Sequence, residues 1–355
     1  MRNNNLIGII GHFGGKYNFL DGQTIKTKIL YEELLRATEW KIIKVDTYYK
    51  SHNPLKLMYD TTKCLLKTNK IFVLLSGNGM KFYFPLLSFC ANIFKIKVYH
   101  DVIGGNLDTY IIQNPKFVKY LNSFIVNWVE TEKLKYKISK LGINNCEVMP
   151  NFKRLSVVNI SKHIQNEPYT FCIFSRIMKE KGIEIAIDAI ESINNDAGRT
   201  ICRLDIYGRV DEKYKDEFDN VLKKASKEIA YKGAVSYCQS VETIREYYAL
   251  LFPTYWKGEG FPGTIIDAFS AGLPVVASDW NCNSEIIDNK VNGILFPNEE
   301  NKDLKDSILW MINNKEEVYK MKKNCIVAAK KYQPDSYIKR IIYTVEGSDN
   351  RKADL

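Results

Sequence analysis

The sequence contains no apolar run long enough to cross a bilayer. Its longest uncharged apolar run, Phe82 to Phe94, falls well short of the about 20 residues that a transmembrane helix requires. The first residues, MRNNNLIGIIGHF, lack the basic stretch, long apolar core and small-residue cleavage site of a signal peptide. We therefore expect a cytoplasmic chain without a membrane span.

Spacings typical of metal sites are also missing. The eight cysteines are scattered, without a CxxC motif or a Cys/His cluster of metal-ligand spacing. No two aspartates form an Asp-x-Asp motif that could hold a divalent metal. This pattern predicts free thiols in a reducing compartment and argues against dependence on a metal.

Positive charge is concentrated in the first half of the chain. The formal net charge is +10, and residues 1–150 hold 21 Lys and Arg against 11 Asp and Glu. Such a basic half attracts anionic lipid headgroups, phosphorylated acceptors or nucleic acid, although lysines also serve solubility. The absence of an aromatic-basic RNA motif and of zinc spacing argues against nucleic acid. The Phe82–Phe94 segment, flanked by lysines, is either a membrane-docking helix or an ordinary core helix.

Hydrophobic periodicity predicts an α/β fold. Short β-branched runs such as Leu6–Ile10 and Lys41–Val45 alternate with longer amphipathic runs such as Gln23–Thr38. The same pattern places a strand at Ser123–Val126 and a helix at Glu212–Lys227. Regular alternation of this kind indicates βαβ units and parallel sheets.

The length of 355 residues and the 45% hydrophobic content suffice for two domain cores. We predict one doubly wound, Rossmann-like domain at residues 1–152, a polar linker at 153–168 and a second such domain at 169–333. A C-terminal helix and tail at 334–355 are expected to pack back on the first domain. Ligands should bind in a cleft between the carboxyl ends of the two sheets.

The densest chemical signal is the segment WKGEGFPGTIIDAFSAGLPVVASD. Glu259 precedes a Gly-Phe-Pro-Gly turn, and Asp267 lies on the helix that follows. Gly260 and Gly263 leave the backbone open, so N–H groups at the helix start could bind a diphosphate with the help of the helix dipole. Asp267 could accept hydrogen bonds from a ribose diol, and Glu259 could bind sugar hydroxyls. The alternative is a solvated helix acid after a common glycine turn.

Two cations stand five positions apart in FSRIMKEKGIE. Arg176 lies at the end of a predicted strand and Lys181 just before a predicted helix. They could converge on a pyrophosphate and stabilise it as a leaving group, although a lone pattern of this kind is often surface charge.

The first half offers a glycine loop and a histidine. The loop GHFGGKYNFLDGQ places Gly15 and Gly22 where backbone can approach a ligand, with Asp21 as a helix N-cap. Which glycine contacts a ligand is left open. His100, at the end of a predicted strand in VYHDVIGG, could hold a sugar hydroxyl or serve a structural role.

Several of these segments resemble one family. GEGFPGTIIDAFSAGLPVVASD is similar to the E-x7-E segment of the retaining glycosyltransferases of family four, and FSRIMKEKGIE resembles that family's Gly-Arg-Leu and Lys-Gly segment. VYHDVIGG and ETEKLKYKISKLGINNCEVMPN match further family segments, so the resemblance runs from about Ile7 to Ile287. Three departures stand out: Asp267 replaces the usual Glu, Phe174-Ser175 replaces a glycine, and Gly208-Arg209-Val210 lacks a second glycine.

The resemblance implies a GT-B fold and a metal-independent, retaining transfer of a sugar from a nucleoside diphosphate, with UDP as the default. It implies no cofactor, since the nucleotide-sugar donor is a substrate. It implies a glycan or lipid-linked glycan acceptor, in the synthesis of a surface polysaccharide such as capsule or O-antigen, at the inner face of the plasma membrane. A non-catalytic GT-B assembly partner and a nucleotide-sugar 2-epimerase are the alternatives. The implied catalytic residues are Arg176, Lys181, Glu259 and His100, and the implied donor-binding residues are Gly15, Gly22, Gly208, Gly260, Phe261, Pro262, Gly263, Thr264 and Asp267.

Overall fold

The computed structural model describes residues 5–350 except 18, 20, 159–165 and 298–300. The described residues form two compact units, one within the ranges Met1–Phe152 and Pro334–Leu355 and the other within Lys153–Gln333. Most of the predicted linker at 153–168 is therefore assigned to the second unit, but its residues 159–165 lie outside the described part of the chain.

The chain alternates strands and helices along its described length. Up to Phe152 the elements are β1 (Leu6–Gly11), α1 (Gly22–Ala37), β2 (Lys41–Asp46), α2 (Tyr49–His52), α3 (Pro54–Lys67), β3 (Lys70–Leu74), α4 (Gly77–Phe94), β4 (Lys97–Asp101), α5 (Leu107–Gln113), α6 (Phe117–Asn122), β5 (Val126–Val129), α7 (Glu132–Lys140) and β6 (Cys146–Val148). From Lys153 on they are β7 (Tyr169–Phe174), α8 (Ile183–Ala197), β8 (Cys202–Tyr207), α9 (Lys215–Lys224), β9 (Ile229–Gly233), α10 (Ser240–Ile244), β10 (Leu250–Phe252), α11 (Gly263–Ser270), β11 (Val275–Ser278), β12 (Gly293–Phe296), α12 (Asn301–Asn313), α13 (Lys315–Lys330) and α14 (Pro334–Asn350).

In the first unit, the described residues form a parallel sheet in the order β2-β1-β3-β4-β5-β6. Strands such as β3 and β4 are buried along their whole length because helices cover both faces of the sheet. The C-terminal helix α14 packs on this unit: Ile341 lies in a buried cluster with Leu30 and Trp128, and Lys97 Nζ donates to the Ser348 carbonyl at 2.7 Å.

In the second unit, the described strands are also all parallel, in the order β12-β11-β10-β7-β8-β9. The chain enters the middle of the sheet at β7, builds outward through β9, and then returns to place β10 beside β7. This is the doubly wound order with a topological switch point between β7 and β10. The predicted α/β class with two doubly wound sheets is confirmed.

Two predicted elements have different bounds in the structure, and strand β9 was not predicted from the sequence. The predicted strand Ser123–Val126 begins three residues later, because Ser123 Oγ instead donates to the Tyr120 carbonyl at the end of α6, at 2.6 Å. The predicted helix Glu212–Lys227 is shorter, since the Asp211 carboxylate accepts from Lys213 N at 3.0 Å in a preceding turn. Strand β9 lies at a sheet edge and is only partly buried, so its sequence carries little apolar alternation.

Neither disulfides nor membrane spans contribute to the described structure. The eight cysteines all lie within the described residues and are free thiols. In that same part of the chain, no helix combines the length and the apolarity needed to cross a bilayer. Segment Phe82–Phe94 belongs to α4, which buries Tyr83, Phe84 and Leu87 and exposes Phe82 and Phe89.

Candidate functional site

The candidate site lies at the switch point of the second sheet. Arg176 and Lys181 follow strand β7 in the sequence. The loop that carries Glu259 follows the neighbouring strand β10. In open α/β sheets, loops at the carboxyl ends of the strands on either side of a switch point form the ligand site. The topology therefore places the loops after β7 and β10, which carry these three residues, next to each other at one edge of the sheet.

Lys181 and Glu259 form a buried ion pair. Lys181 Nζ hydrogen bonds to Glu259 Oε2, which also accepts from Thr254 Oγ1 at 3.0 Å. The two side chains are only 8% and 7% exposed. Lys181 Nζ also lies 5.0 Å from the ring centroid of Trp256, within range of a cation–π interaction. Burying such a pair costs desolvation energy that the ion pair itself only partly offsets, so the arrangement suits a functional site better than a stabilising one.

The turn after Glu259 is held by side chains that the sequence did not single out. Asn281 Nδ2 donates to the Glu259 carbonyl, and Cys282 Sγ to the Gly260 carbonyl at 2.7 Å. Helix α11 starts at Gly263 directly after Pro262, so the first backbone N–H groups of the helix follow this turn.

Two further residues of the predicted donor site anchor this turn. Thr264 Oγ1 donates to the Phe174 carbonyl at 2.6 Å and thereby ties α11 to the end of β7. Phe261 is buried against the ring of Tyr332. Both side chains therefore serve packing and positioning of the turn in this arrangement.

Asp267 is buried and paired with a lysine that the sequence did not identify. Lys153 Nζ lies 2.8 Å from both carboxylate oxygens of Asp267 and 3.2 Å from the Gly263 carbonyl oxygen. Lys153 stands in the predicted linker, where an isolated lysine among polar residues carries no signal of burial.

Arg176 and Gly208 lie on adjacent strand ends. The Arg176 side chain is 60% exposed and its guanidinium pairs with Asp211 at 2.5 Å. Gly208 has a φ of 146°, and a Cβ there would lie 1.7 Å from the Ser175 carbonyl oxygen. Glycine at 208 is thus required for the close approach of the loops after β7 and β8, whatever else it contacts.

In the first unit, Gly15 and Gly22 have different environments. Gly15 has a φ of 60°, donates its N–H to Asp46 Oδ2 at 2.8 Å, and packs against the Tyr48 ring. Gly22 opens α1 with free space around its Cβ position, directly after the Asp21 N-cap, which accepts from Thr24 N at 3.0 Å. The Gly15 amide is therefore already used within the protein, whereas the surroundings of Gly22 remain open. Asp46 was not identified from the sequence.

His100 lies in the core of the first unit. Its ring has no exposed surface, packs against Phe84, and bonds through Nδ1 to Asn127 Oδ1 at 2.9 Å on the adjacent strand. Its Nε2 has no hydrogen-bond partner among the described residues. The structural role that the sequence left open fits this burial, because a ring without exposed surface does not reach a sugar in this arrangement.

We expect His100→Leu to make the protein less sensitive to acid. Burial lowers the pKa of His100 to about 4, so between pH 6.5 and 4 the unfolded chain binds a proton that the folded protein does not. The free energy of unfolding therefore falls with decreasing pH. Between pH 7 and 4.5 the variant should lose about 2 kcal/mol less of it than the wild type. Urea unfolding of both proteins at the two pH values measures it, and an equal loss in both proteins would contradict it.

The neighbouring residue, Asp101, belongs to a buried charge cluster. Lys26 Nζ lies 2.7 Å from Asp101 Oδ1 and 2.9 Å from Glu130 Oε1. Burial raises the pKa of Asp101 to about 6 although Lys26 opposes the shift. Because of this raised pKa, Asp101 adds stability as the pH falls through 6, which is opposite in sign to the effect of His100. Asp101 is present in both the wild type and His100→Leu, so the urea experiment compares the pH dependence of their stabilities.

Comparison with known proteins finds a family match within the second unit. Residues 158–332 match the family model described as glycosyl transferases group 1. Among the described residues, no group of three or more His, Cys, Asp or Glu side chains could hold a metal ion.

Individual relatives of this group 1 region share low identity. The chain is 24% identical over 225 residues to an uncharacterized glycosyltransferase, MJ1069, of Methanocaldococcus jannaschii, covering 62% of this chain and 54% of that protein. It is 26% identical over 210 residues to a poly(ribitol-phosphate) alpha-N-acetylglucosaminyltransferase of Staphylococcus aureus, covering 58% of this chain and 39% of that protein. The chain thus spans about half the length of these relatives.

Solved structures share the fold of most of the chain. HepE of Anabaena, in complex with UDP and glucose, superposes with a TM-score of 0.73 at 14% identity, covering 96% of this chain and 99% of that one. A mutant of TarM from Staphylococcus aureus, in complex with Fondaparinux, alpha-GlcNAc-glycerol and UDP, gives a TM-score of 0.63 at 20% identity, covering 78% of this chain and 55% of that one. The predicted GT-B class is thereby confirmed.

Proposed function

We propose that the protein is a retaining glycosyltransferase that moves a sugar from a nucleoside-diphosphate donor, UDP in the first instance, to a glycan or lipid-linked glycan. It needs no metal ion and no other cofactor. The observation that carries this proposal is the buried Lys181–Glu259 pair at the switch point of a group 1 glycosyl transferase region. The presence of UDP in the HepE and TarM complexes supports the choice of nucleotide.

On this proposal, the charges of the site act on the leaving group. As the bond between the anomeric carbon and the phosphate oxygen breaks, negative charge grows on the diphosphate, and Lys181, Arg176 and the first N–H groups of α11 stabilise it. Glu259 binds hydroxyls of the transferred sugar. The acceptor hydroxyl forms its new bond on the face that the diphosphate leaves, and its proton passes to a phosphate oxygen of the leaving group. The anomeric configuration is therefore retained.

The direct test is a panel of nucleotide sugars in EDTA, with and without polyprenyl-linked sugar acceptors. Release of a nucleoside diphosphate together with a glycosylated acceptor supports the proposal and names the donor. Conversion of the donor to its epimer without an acceptor would instead identify a 2-epimerase. Binding of donors without any turnover would identify a non-catalytic assembly partner. Transfer that requires an added divalent metal would contradict the metal-independent reaction.

We place the reaction at the inner face of the plasma membrane, in assembly of a surface polysaccharide such as capsule or O-antigen. An apolar-basic face supports this placement. It consists of exposed side chains of α3 and α4, between 53% and 78% exposed: Leu55, Met58, Tyr59, Leu66, Phe82, Phe89, Ile93 and Phe94. The two helices are adjacent, since Thr61 Oγ1 and Tyr83 OH lie 2.9 Å apart. Lysines at 56, 63, 67, 81 and 95 accompany it, against one acid, Asp60, in residues 54–95.

An exposed apolar stripe with lysines suits the surface of an anionic membrane. We expect the protein to sediment with vesicles of phosphatidylglycerol and phosphatidylcholine, and less so as salt is raised. The pair Phe89→Ser and Ile93→Ser should weaken binding at least about tenfold, because each buried apolar side chain contributes on the order of 1.5–3 kcal/mol. Val327→Ser, an exposed apolar residue of α13, is the matched control. Equal binding of all three proteins would contradict membrane contact through this face.

A further inference from the structure

Lys153 has every donor of its ammonium group committed within the second unit. An ammonium carries three N–H donors, and the three acceptors near Lys153 Nζ are the two Asp267 carboxylate oxygens at 2.8 Å and the Gly263 carbonyl oxygen at 3.2 Å. The backbone of Lys153 is also fixed, because its N–H donates to the Tyr332 carbonyl at 3.1 Å. The side chain therefore holds one position at the first turn of α11.

Asp267 depends on this lysine as its charge partner. The carboxylate is buried, and a buried carboxylate without a partner of opposite charge is costly. Lys153 supplies that partner. Each carboxylate oxygen has two lone pairs and uses one to accept a hydrogen bond from Lys153. The second lone pair on each oxygen can therefore accept another hydrogen bond. Two such acceptors on one rigid group match a vicinal diol.

The lysine also occupies the space next to the shortened acid. A Cβ at Gly263 would lie 3.1 Å from Lys153 Cε and 3.2 Å from Nζ, so the lysine fills the volume beside the start of α11. Position 267 carries Asp where the E-x7-E segment has a second, longer acid. Two unusual features of the sequence, a short acid and a buried lysine from residues before β7, thus meet at one place.

We propose that Lys153 is a positioning residue of the donor site: it fixes the Asp267 carboxylate so that this carboxylate binds the ribose diol of the nucleoside diphosphate. The inference rests on the proposed function and names a residue through which that function acts. Lys153 itself does not touch the ribose, since its three donors are already used.

Calorimetric binding of UDP and of 2′,3′-dideoxy-UDP tests this role, because only UDP carries the diol. Wild-type protein should prefer UDP by at least about tenfold, as expected when a buried acceptor loses its partner. Lys153→Met, Asp267→Asn and the double variant should all reduce this preference to less than about threefold, and the double variant should be no worse than Asp267→Asn alone. Lys153→Arg, which keeps the charge, should retain part of the preference.

If Lys153 had a merely structural role, its replacement would lower thermal stability without changing the ratio of the affinities for UDP and 2′,3′-dideoxy-UDP. Lys153→Met leaves a buried carboxylate unpaired, so the Asp267→Asn and double variants supply the result if that protein does not fold. Lys320→Met, which breaks a surface pair with Glu317, is the matched control. If the wild-type protein binds UDP and the double variant keeps the full preference for UDP over 2′,3′-dideoxy-UDP, this inference is wrong and the proposed function stands. Wild-type protein that binds no nucleoside diphosphate would overturn the proposed function together with this inference.

Discussion

Replacement of Glu259 by glutamine is expected to lower the rate of sugar transfer by about 10²- to 10³-fold. Glutamine keeps the size of the side chain but removes its charge. The variant therefore loses the anion that binds sugar hydroxyls and fixes Lys181, and the Lys181 ammonium is left buried without its partner. Product formation with the donor named by the panel, analysed as separate kcat and KM values, measures the loss.

The control for Glu259→Gln removes the same charge from a neighbouring but exposed pair. Glu217 pairs with Lys179, two residues before Lys181, with side chains 46% and 57% exposed. A surface ion pair of this kind contributes little, so Glu217→Gln should keep the wild-type rate. Because loss of a buried partner also destabilises, the Lys181→Met/Glu259→Gln variant should regain thermal stability without regaining activity. Equal rates for Glu259→Gln and Glu217→Gln would contradict the role of Glu259.

The fold was predictable because its signals are local. Alternation of β-branched and amphipathic runs specifies βαβ units, and the rules of parallel sheets then leave few topologies. The elements that differ from the prediction show which features the local sequence pattern does not determine. Ser123 has a hydroxyl that bonds back to α6, and the edge strand β9 needs little apolar sequence because it is only partly buried. Neither choice is visible in the hydrophobic pattern.

The candidate site was only partly predictable because side-chain partners are set by distant segments. The sequence assigned Lys181 to the diphosphate and Glu259 to the sugar, whereas the structure joins the two side chains across 78 residues of chain. Lys153 reaches Asp267 across 114 residues, and in the sequence it is one polar linker residue among others. A charged residue destined for burial has the same local pattern as a solvated one, so such pairs become visible only once the sheets are assembled.

Helix α8 offers a matched pair of glycines that tests how rigidly the site is built. Gly182 precedes the helix with a φ of 71°, and Gly198 follows it with a φ of 63°. A Cβ at Gly182 would lie 2.1 Å from the Pro253 carbonyl oxygen, while nothing lies within 4 Å of a Cβ at Gly198. Both positions impose the same left-handed backbone on an alanine. They differ in the contact with the segment after β10, directly before the Thr254 hydroxyl that bonds Glu259.

Gly198→Ala should therefore cost only the backbone penalty of about 1–2 kcal/mol. Gly182→Ala should cost at least about 4 kcal/mol, because the backbone at Pro253 must move to admit the methyl group. The same movement displaces Thr254 and with it the Lys181–Glu259 pair, so Gly182→Ala should also weaken UDP binding under conditions where it remains folded, and Gly198→Ala should not. Urea midpoints and UDP affinities of the two variants measure the difference. Equal midpoints would show that the backbone at Pro253 moves away from residue 182 at no cost in stability. The prediction that the loops after β7 and β10 are rigidly coupled would then be wrong.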